Sequence, residues 1–172
     1  ITAGTKQGEI KDYFISAEVF SKNGEILTIN KKDMEFSYRS SKLANNKDII
    51  LSAKFSKPFY DTPSNIKKKI KHTIQRRRER QPNNRRNCGS VFKSYTGHKP
   101  AGWYIDQAGL KGLRIGDAMI AYEHANWIIN IGNASSADVK KLIGKIQETV
   151  FKKFGVSLER EVIYIPDDIT GD

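Results

Sequence analysis

The chain has 172 residues, 38% of them apolar and 28% charged, and carries a net charge of +11. That length can bury a real core as one domain or two small ones, and no apolar run approaches the roughly 20 residues that cross a bilayer. A single cysteine, Cys88, excludes an intramolecular disulfide and any cysteine-based metal cluster, so a reducing, cytoplasmic setting is expected.

The opening Ile1-Thr2-Ala3-Gly4 has no initiator methionine and reads as the interior of a longer sequence, so a fragment is expected. Tyr13–Phe20 is rich in aromatic and β-branched residues. Asn23-Gly24 follows, and Glu25–Ile29 then alternates polar and apolar. Two strands around an Asn-Gly turn predict a hairpin. Ile49–Phe55 predicts a further strand. Between them, Phe36-Ser37-Tyr38-Arg39-Ser40-Ser41 flanks an arginine with hydroxyls. Arg39 there is either a solvated loop cation or a planar fork for a carboxylate.

Thr62-Pro63 predicts a helix start, with a hydroxyl at the N-cap and proline in the first turn. The helix should end near Arg80, before Pro82. Its apolar positions, Ile66, Ile70 and Ile74, form a narrow stripe, so most of it should face water. Residues 67–86 hold ten Lys/Arg against one acid, Glu79, which is +9 in one segment and leaves +2 for the rest. Such an arm could neutralise phosphates, but it has no aromatics to stack bases and no recognised nucleic-acid-binding pattern. A solvated helix face is the preferred reading. Gln81–Asn87 is the expected linker between domains.

Cys88-Gly89-Ser90-Val91-Phe92-Lys93 places a hydroxyl after a glycine and a cation three residues later. Alone it is compatible with a plain buried turn. Five glycines between Gly97 and Gly116 predict tight turns around a short helix near Trp103–Ala108. Trp127–Ile131 predicts a buried strand. Ser135-x-x-Asp138 resembles a capping box, and Val139, Leu142, Ile143, Ile146, Val150 and Phe154 follow at helical spacing, with Gly155 suited to the C-cap. A final strand is expected over Glu161–Ile165, which would put Glu159 and Glu161 on one face. Helices and strands mix without a βαβ repeat, so the expected class is α+β. His72, His98 and His124 lack metal-site spacing, and no metal is expected. On physical grounds alone nothing joins Arg39, Ser90, Lys93, Glu159 and Glu161 into one site.

Several stretches, taken in order, resemble the UDP-N-acetylenolpyruvoylglucosamine reductases (MurB). They are Phe36–Ser41, Ile50–Phe55, Gly89–Lys93, Gln107–Gly112, Gly116–Ala118, His124-Ala125-Asn126 and Leu158–Val162. The His-Ala-Asn motif is that of the shorter type within the family. The resemblance implies an FAD-mediated, NADPH-dependent reduction of UDP-N-acetylglucosamine enolpyruvate to UDP-N-acetylmuramate in peptidoglycan precursor synthesis. By motif match it implies Ser90 as proton donor, Arg39 at the substrate carboxylate and Glu161 assisting at the same carbon. Lys93, Ser94, His124 and Asn126 would bind substrate, and Ala3, Gly4, Tyr38 and Arg39 would contact the cofactor. Ser94-Tyr95 departs from the family's usual Asn-Pro, which alters one expected contact to the UDP diphosphate.

The implied organisation is residues 1–80 as the C-terminal part of a PCMH-like FAD-binding domain and residues 83–166 as the α+β substrate-binding domain. By itself the chain would be weakly active or inactive. The implied partners are the UDP sugar and NADPH, with no nucleic acid, no membrane and a monomeric state. The alternatives are a non-redox UDP-sugar-binding remnant and, with less support, a basic nucleic-acid-associated module.

Overall fold

A computed structural model of the chain describes residues 4–5, 8–44, 48–57, 60–82, 85–94 and 98–165. Its packing divides it into two compact units, Ile1–Asn65 and Ile66–Asp172. The division falls in the first turn of the basic helix rather than in the 81–87 stretch.

In the first unit, a two-stranded ladder of β1 (Gly4–Thr5) and β2 (Gly8–Glu9) leads through one helical turn, α1 (Ile10–Tyr13), into β3 (Phe14–Phe20). β3 is the centre of an antiparallel sheet, between β4 (Ile26–Asn30) and β5 (Ile49–Phe55). The β3–β4 hairpin forms as the sequence predicts: Gly24 N–H donates to the Ser21 carbonyl at 2.9 Å, and Gly24 takes φ 85°. A bulge between Phe14 and Ser16 shifts the alternation of β3, so Phe14, Ala17 and Val19 all reach the core with Met34 and Leu43. Phe14 meets Phe36 edge-on at 5.3 Å. Every residue of β5 is exposed.

α2 (Pro63–Arg80) is capped as expected, with Thr62 Oγ1 accepting from Asn65 N–H at 3.2 Å. None of its residues is buried, and Ile66, Ile70 and Ile74 are 43, 53 and 45% exposed. Its local stability therefore rests on propensity, its cap and pairs such as Gln75–Glu79 at 3.2 Å.

The second unit is a four-stranded antiparallel sheet in the order β6 (Arg86–Ser90), β9 (Trp127–Asn130), β8 (Ala118–Ile120), β7 (Arg114–Ile115). Arg86 and Asn87 already pair with Asn130 and Ile129, so the strand takes in the last residues of the expected linker. α3 (Ala101–Gln107) and α4 (Ser136–Phe154) contribute to the same core. α4 carries the predicted stripe, with Leu142, Ile143, Ile146 and Val150 buried. Its capping box is reciprocal: Asp138 N–H donates to Ser135 Oγ at 3.1 Å and Ser135 N–H to Asp138 Oδ2 at 2.9 Å. Gly155 ends it at φ 68°.

The expected strand over Glu161–Ile165 does not form. Pairing is confined to an isolated bridge, Phe92 to Arg160, and its flanking bonds. In antiparallel register residues 162–165 would need β6 as partner, and β6 is bent by a bulge between Asn87 and Ser90. Arg160 instead lies over the Tyr164 ring at 3.8 Å, and Ile163 and Ile165 are exposed. The α+β mixture stands, with antiparallel pairing in all three sheets among the described residues. Among the described residues no helix is long and apolar enough to cross a membrane, and no His/Cys/Asp/Glu cluster could hold a metal.

Candidate active site

The bulge in β6 decides where Ser90 points. Gly89 takes φ 85°, a region that favours glycine, and donates its N–H to Asn87 Oδ1 at 3.1 Å. The Asn87 amide in turn donates to the Arg85 carbonyl at 2.6 Å, so the extra residue is pinned from both sides. A bulge of this kind re-aims the next side chain. Ser90 is half-buried, and among the described residues its hydroxyl has no hydrogen-bond partner.

Val91 and Phe92, which follow, are buried to 1% exposure and anchor the segment in the core. Both edges of Val91–Lys93 are bonded. On one side Glu161 N–H donates to the Val91 carbonyl at 2.8 Å, and Lys93 N–H to the Glu159 carbonyl at 2.9 Å. On the other, Val91 N–H donates to the Asn126 carbonyl at 2.9 Å. The structure thus brings Ser90, Lys93 and the Glu159–Glu161 segment together, although the sequence predicted a regular strand there.

Lys93 Nζ forms an ion pair with Glu159 Oε1, a partner the sequence reading left unassigned. The pair lines a cleft of about 260 Å³ together with Ser94, His98, Lys99 and Tyr104. The Ser94 hydroxyl accepts from the N–H of Ala101, the first residue of α3, at 3.2 Å. Ser94 thus makes a bond to the backbone and also lines the cleft.

His124 and Asn126, the other two residues expected at the substrate, both make bonds within the protein. Asn126 is 4% exposed, and its amide spans the Phe92 backbone: Phe92 N–H donates to Oδ1 at 3.0 Å, and Nδ2 donates to the Phe92 carbonyl at 2.8 Å. His124 Nδ1 accepts from Asn126 N–H at 3.2 Å. Burial, reinforced by the positive charge of Lys111, holds the His124 imidazole below its ordinary pKa. Gly102 of α3 makes room for this ring, since a Cβ there would lie 3.2 Å from His124 Cε1. No local signal in the sequence could have shown that the Asn126 amide is spent on a backbone 34 residues away.

Arg39 belongs to the first unit. Ser37 and Ser40 close a turn around Tyr38 and Arg39 through paired backbone bonds of 3.0 and 3.2 Å. Arg39 sits at φ 56°, a left-handed conformation that costs a side chain roughly 1–2 kcal/mol. Its guanidinium lies 5.1 Å from the Tyr38 ring centre, and both residues are exposed. A planar aromatic and a planar cation side by side suit one flank of a flat, anionic cofactor. Ala3 lies outside the described residues. Gly4 is described by its backbone alone, paired with Glu9. Among the described residues of this unit no glycine-rich loop offers a phosphate cradle, so Tyr38 and Arg39 fit contact with a cofactor rather than its whole binding.

Comparison with known proteins places these elements. Residues 81–165 match the family described as UDP-N-acetylenolpyruvoylglucosamine reductase, C-terminal domain. The reductase of that name from Caldicellulosiruptor bescii is 43% identical over 166 residues, covering 96% of this chain and 52% of that protein. The one from Pediococcus pentosaceus is 38% identical over 168 residues, covering 98% and 55%. The crystal structure of UDP-N-acetylenolpyruvylglucosamine reductase (MurB) from Thermus caldophilus superposes with a TM-score of 0.76 at 35% identity, covering 94% of this chain and 57% of that one. The chain spans about half the length of the relatives it matches.

Proposed function

The chain belongs to the UDP-N-acetylenolpyruvoylglucosamine reductase family, and on that premise we propose that it serves the reduction of UDP-N-acetylglucosamine enolpyruvate to UDP-N-acetylmuramate. The observation that carries this reading is Ser90, set on a glycine bulge with its hydroxyl unpartnered among the described residues, three residues before Lys93 and its ion pair with Glu159. When bound, FAD supplies the hydride for the enolpyruvyl double bond, with NADPH as the source of electrons.

The chain's own residues then have distinct tasks. Ser90 Oγ–H donates the proton that completes the lactyl ether. Serine is a weak acid, but an enolate is basic enough to take its proton when the two are held in contact. Arg39 offers its planar fork to the substrate carboxylate, stabilising the charge that builds next to it. Glu161 assists at the same carbon. Lys93 holds the diphosphate; a doubly charged anion displaces Glu159, whose side chain is 54% exposed and only loosely held. Residues up to about 80 act as the cofactor-contacting part and residues 83–166 as the substrate-binding domain.

The test is spectroscopic. The complete protein, loaded with flavin, should bleach with NADPH and recover its visible absorption on addition of the enolpyruvyl UDP sugar. Ser90→Ala should leave bleaching intact and slow recovery by about 100-fold or more, the usual contribution of a positioned acid. Equal damage to both half-reactions would remove Ser90 from its role. A protein that binds the UDP sugar but never takes up flavin would favour the non-redox remnant.

A further inference from the structure

We propose that Asn126 is a positioning residue that sets Ser90 and Lys93 by acting as a surrogate peptide group beside Phe92, where β9 has not yet begun. The inference rests on the reading of Ser90 as proton donor.

β9 starts at Trp127, opposite Ser90. One step further along, the chain around His124-Ala125-Asn126 is turning, and among the described residues β9 offers none to face Phe92 on this edge. The Asn126 side chain fills that position. Its carboxamide presents an acceptor to Phe92 N–H at 3.0 Å and a donor to the Phe92 carbonyl at 2.8 Å, the pair of bonds a neighbouring strand residue would make. With the Val91 N–H bond to the Asn126 carbonyl, one residue satisfies three backbone groups. Both functional side chains flank this clasp: Ser90 precedes it by two residues and Lys93 follows it by one.

Binding substrate directly would require Asn126 to give these bonds up. It is 4% exposed, and stripping two bonds from buried backbone groups leaves each unsatisfied. The clasp is itself held in place. Asn126 N–H donates to His124 Nδ1 at 3.2 Å, and the lowered pKa of His124 keeps that nitrogen an acceptor at neutral pH. Among the described residues hydrogen-bonded to Asn126, His124 is the one that titrates, and Lys111 acts on it through charge.

Asparagine suits this place because at neutral pH no other side chain of this length offers a donor and an acceptor in one plane; aspartate does so only when protonated. Asn126→Asp would set a carboxylate oxygen against the Phe92 carbonyl, and burial would raise its pKa. Protonation restores the missing donor. In the complete, flavin-loaded protein, Asn126→Asp should slow recovery of absorption with substrate about 100-fold at about pH 8, as a misplaced reacting group does, and regain most of it at about pH 5.5. Bleaching by NADPH should stay within about twofold of the unsubstituted protein at both pH values.

Recovery that ignores pH, or equal loss in both half-reactions, overturns the positioning role if Ser90→Ala remains selective. If Ser90→Ala is itself harmless, the proton-donor reading fails instead. Should Asn126→Asp not fold, hydrogen exchange in the unsubstituted protein decides without any turnover. The Phe92 amide must exchange as slowly as those of β9, and exchange at the rate of an exposed loop overturns the clasp.

Discussion

The two units spend apolar residues very differently. Among the described residues, the second gathers fourteen buried apolar residues from its sheet, α3, α4 and the loops around them into one cluster. The first buries five among its described residues in its core, while Ile49, Ile50, Leu51 and Phe55 along β5 stay exposed. The residues proposed for proton donation and diphosphate binding, Ser90 and Lys93, adjoin side chains of the large cluster, Val91 and Phe92. Arg39, in contrast, is fixed by a local turn in a strained backbone conformation. A group that must meet a reacting carbon gains most from a rigid support. A group that only pairs with a charge can be carried on a turn.

The sharpest way to break this comparison is to cut the same side chain in each unit. Ile146→Ala removes a residue 1% exposed from the face of α4 and should cost about 2–5 kcal/mol. Ile50→Ala in β5, 45% exposed, should stay within about 0.5 kcal/mol. Denaturant unfolding followed by circular dichroism checks both. Similar losses would mean that β5 contributes to a core as much as α4 does.

A smaller effect tests how the second unit holds its main helix. Ser135→Ala deletes the hydroxyl that caps α4 and should lower the stability of this unit by about 1 kcal/mol. The same unfolding measurement reads it. No change would mean that packing of the apolar stripe alone fixes the helix start.

α4 was legible in the sequence because its evidence is local: a reciprocal cap, a stripe at helical spacing and a terminal glycine lie within 21 consecutive residues. The hairpin and β5 were legible for the same reason. β7 and β8 were not, because strands of two and three residues are too short to show alternation. The supposed strand at Glu161–Ile165 shows the opposite error. Its β-branched residues suit a strand, but strand formation needs a partner, and the bulge that frees Ser90 bends that partner away. In the site, Gly89 announced an unusual backbone and the motifs gave Ser90 and Lys93. The Asn126 clasp and the Lys93–Glu159 pair join residues 34 and 66 positions apart, beyond any local pattern.

The finest distinction concerns what holds the α4 cap together. Asp138 is held below the ordinary carboxylate pKa first by the Ser135 backbone N–H, then by the Ser135 hydroxyl. A carboxyl whose folded pKa is depressed adds stability above its unfolded value, about 3.9, and loses it as pH falls through the lower folded value. Acidification should therefore loosen the start of α4 only in that acid window. Ser135→Ala removes the hydroxyl but keeps a backbone N–H at the same place. The Asp138 carboxyl, followed by NMR titration, should then rise only part of the way back to its ordinary value. A complete return would mean that the hydroxyl also holds the backbone amide in position, so that the two bonds of the cap stand or fall together.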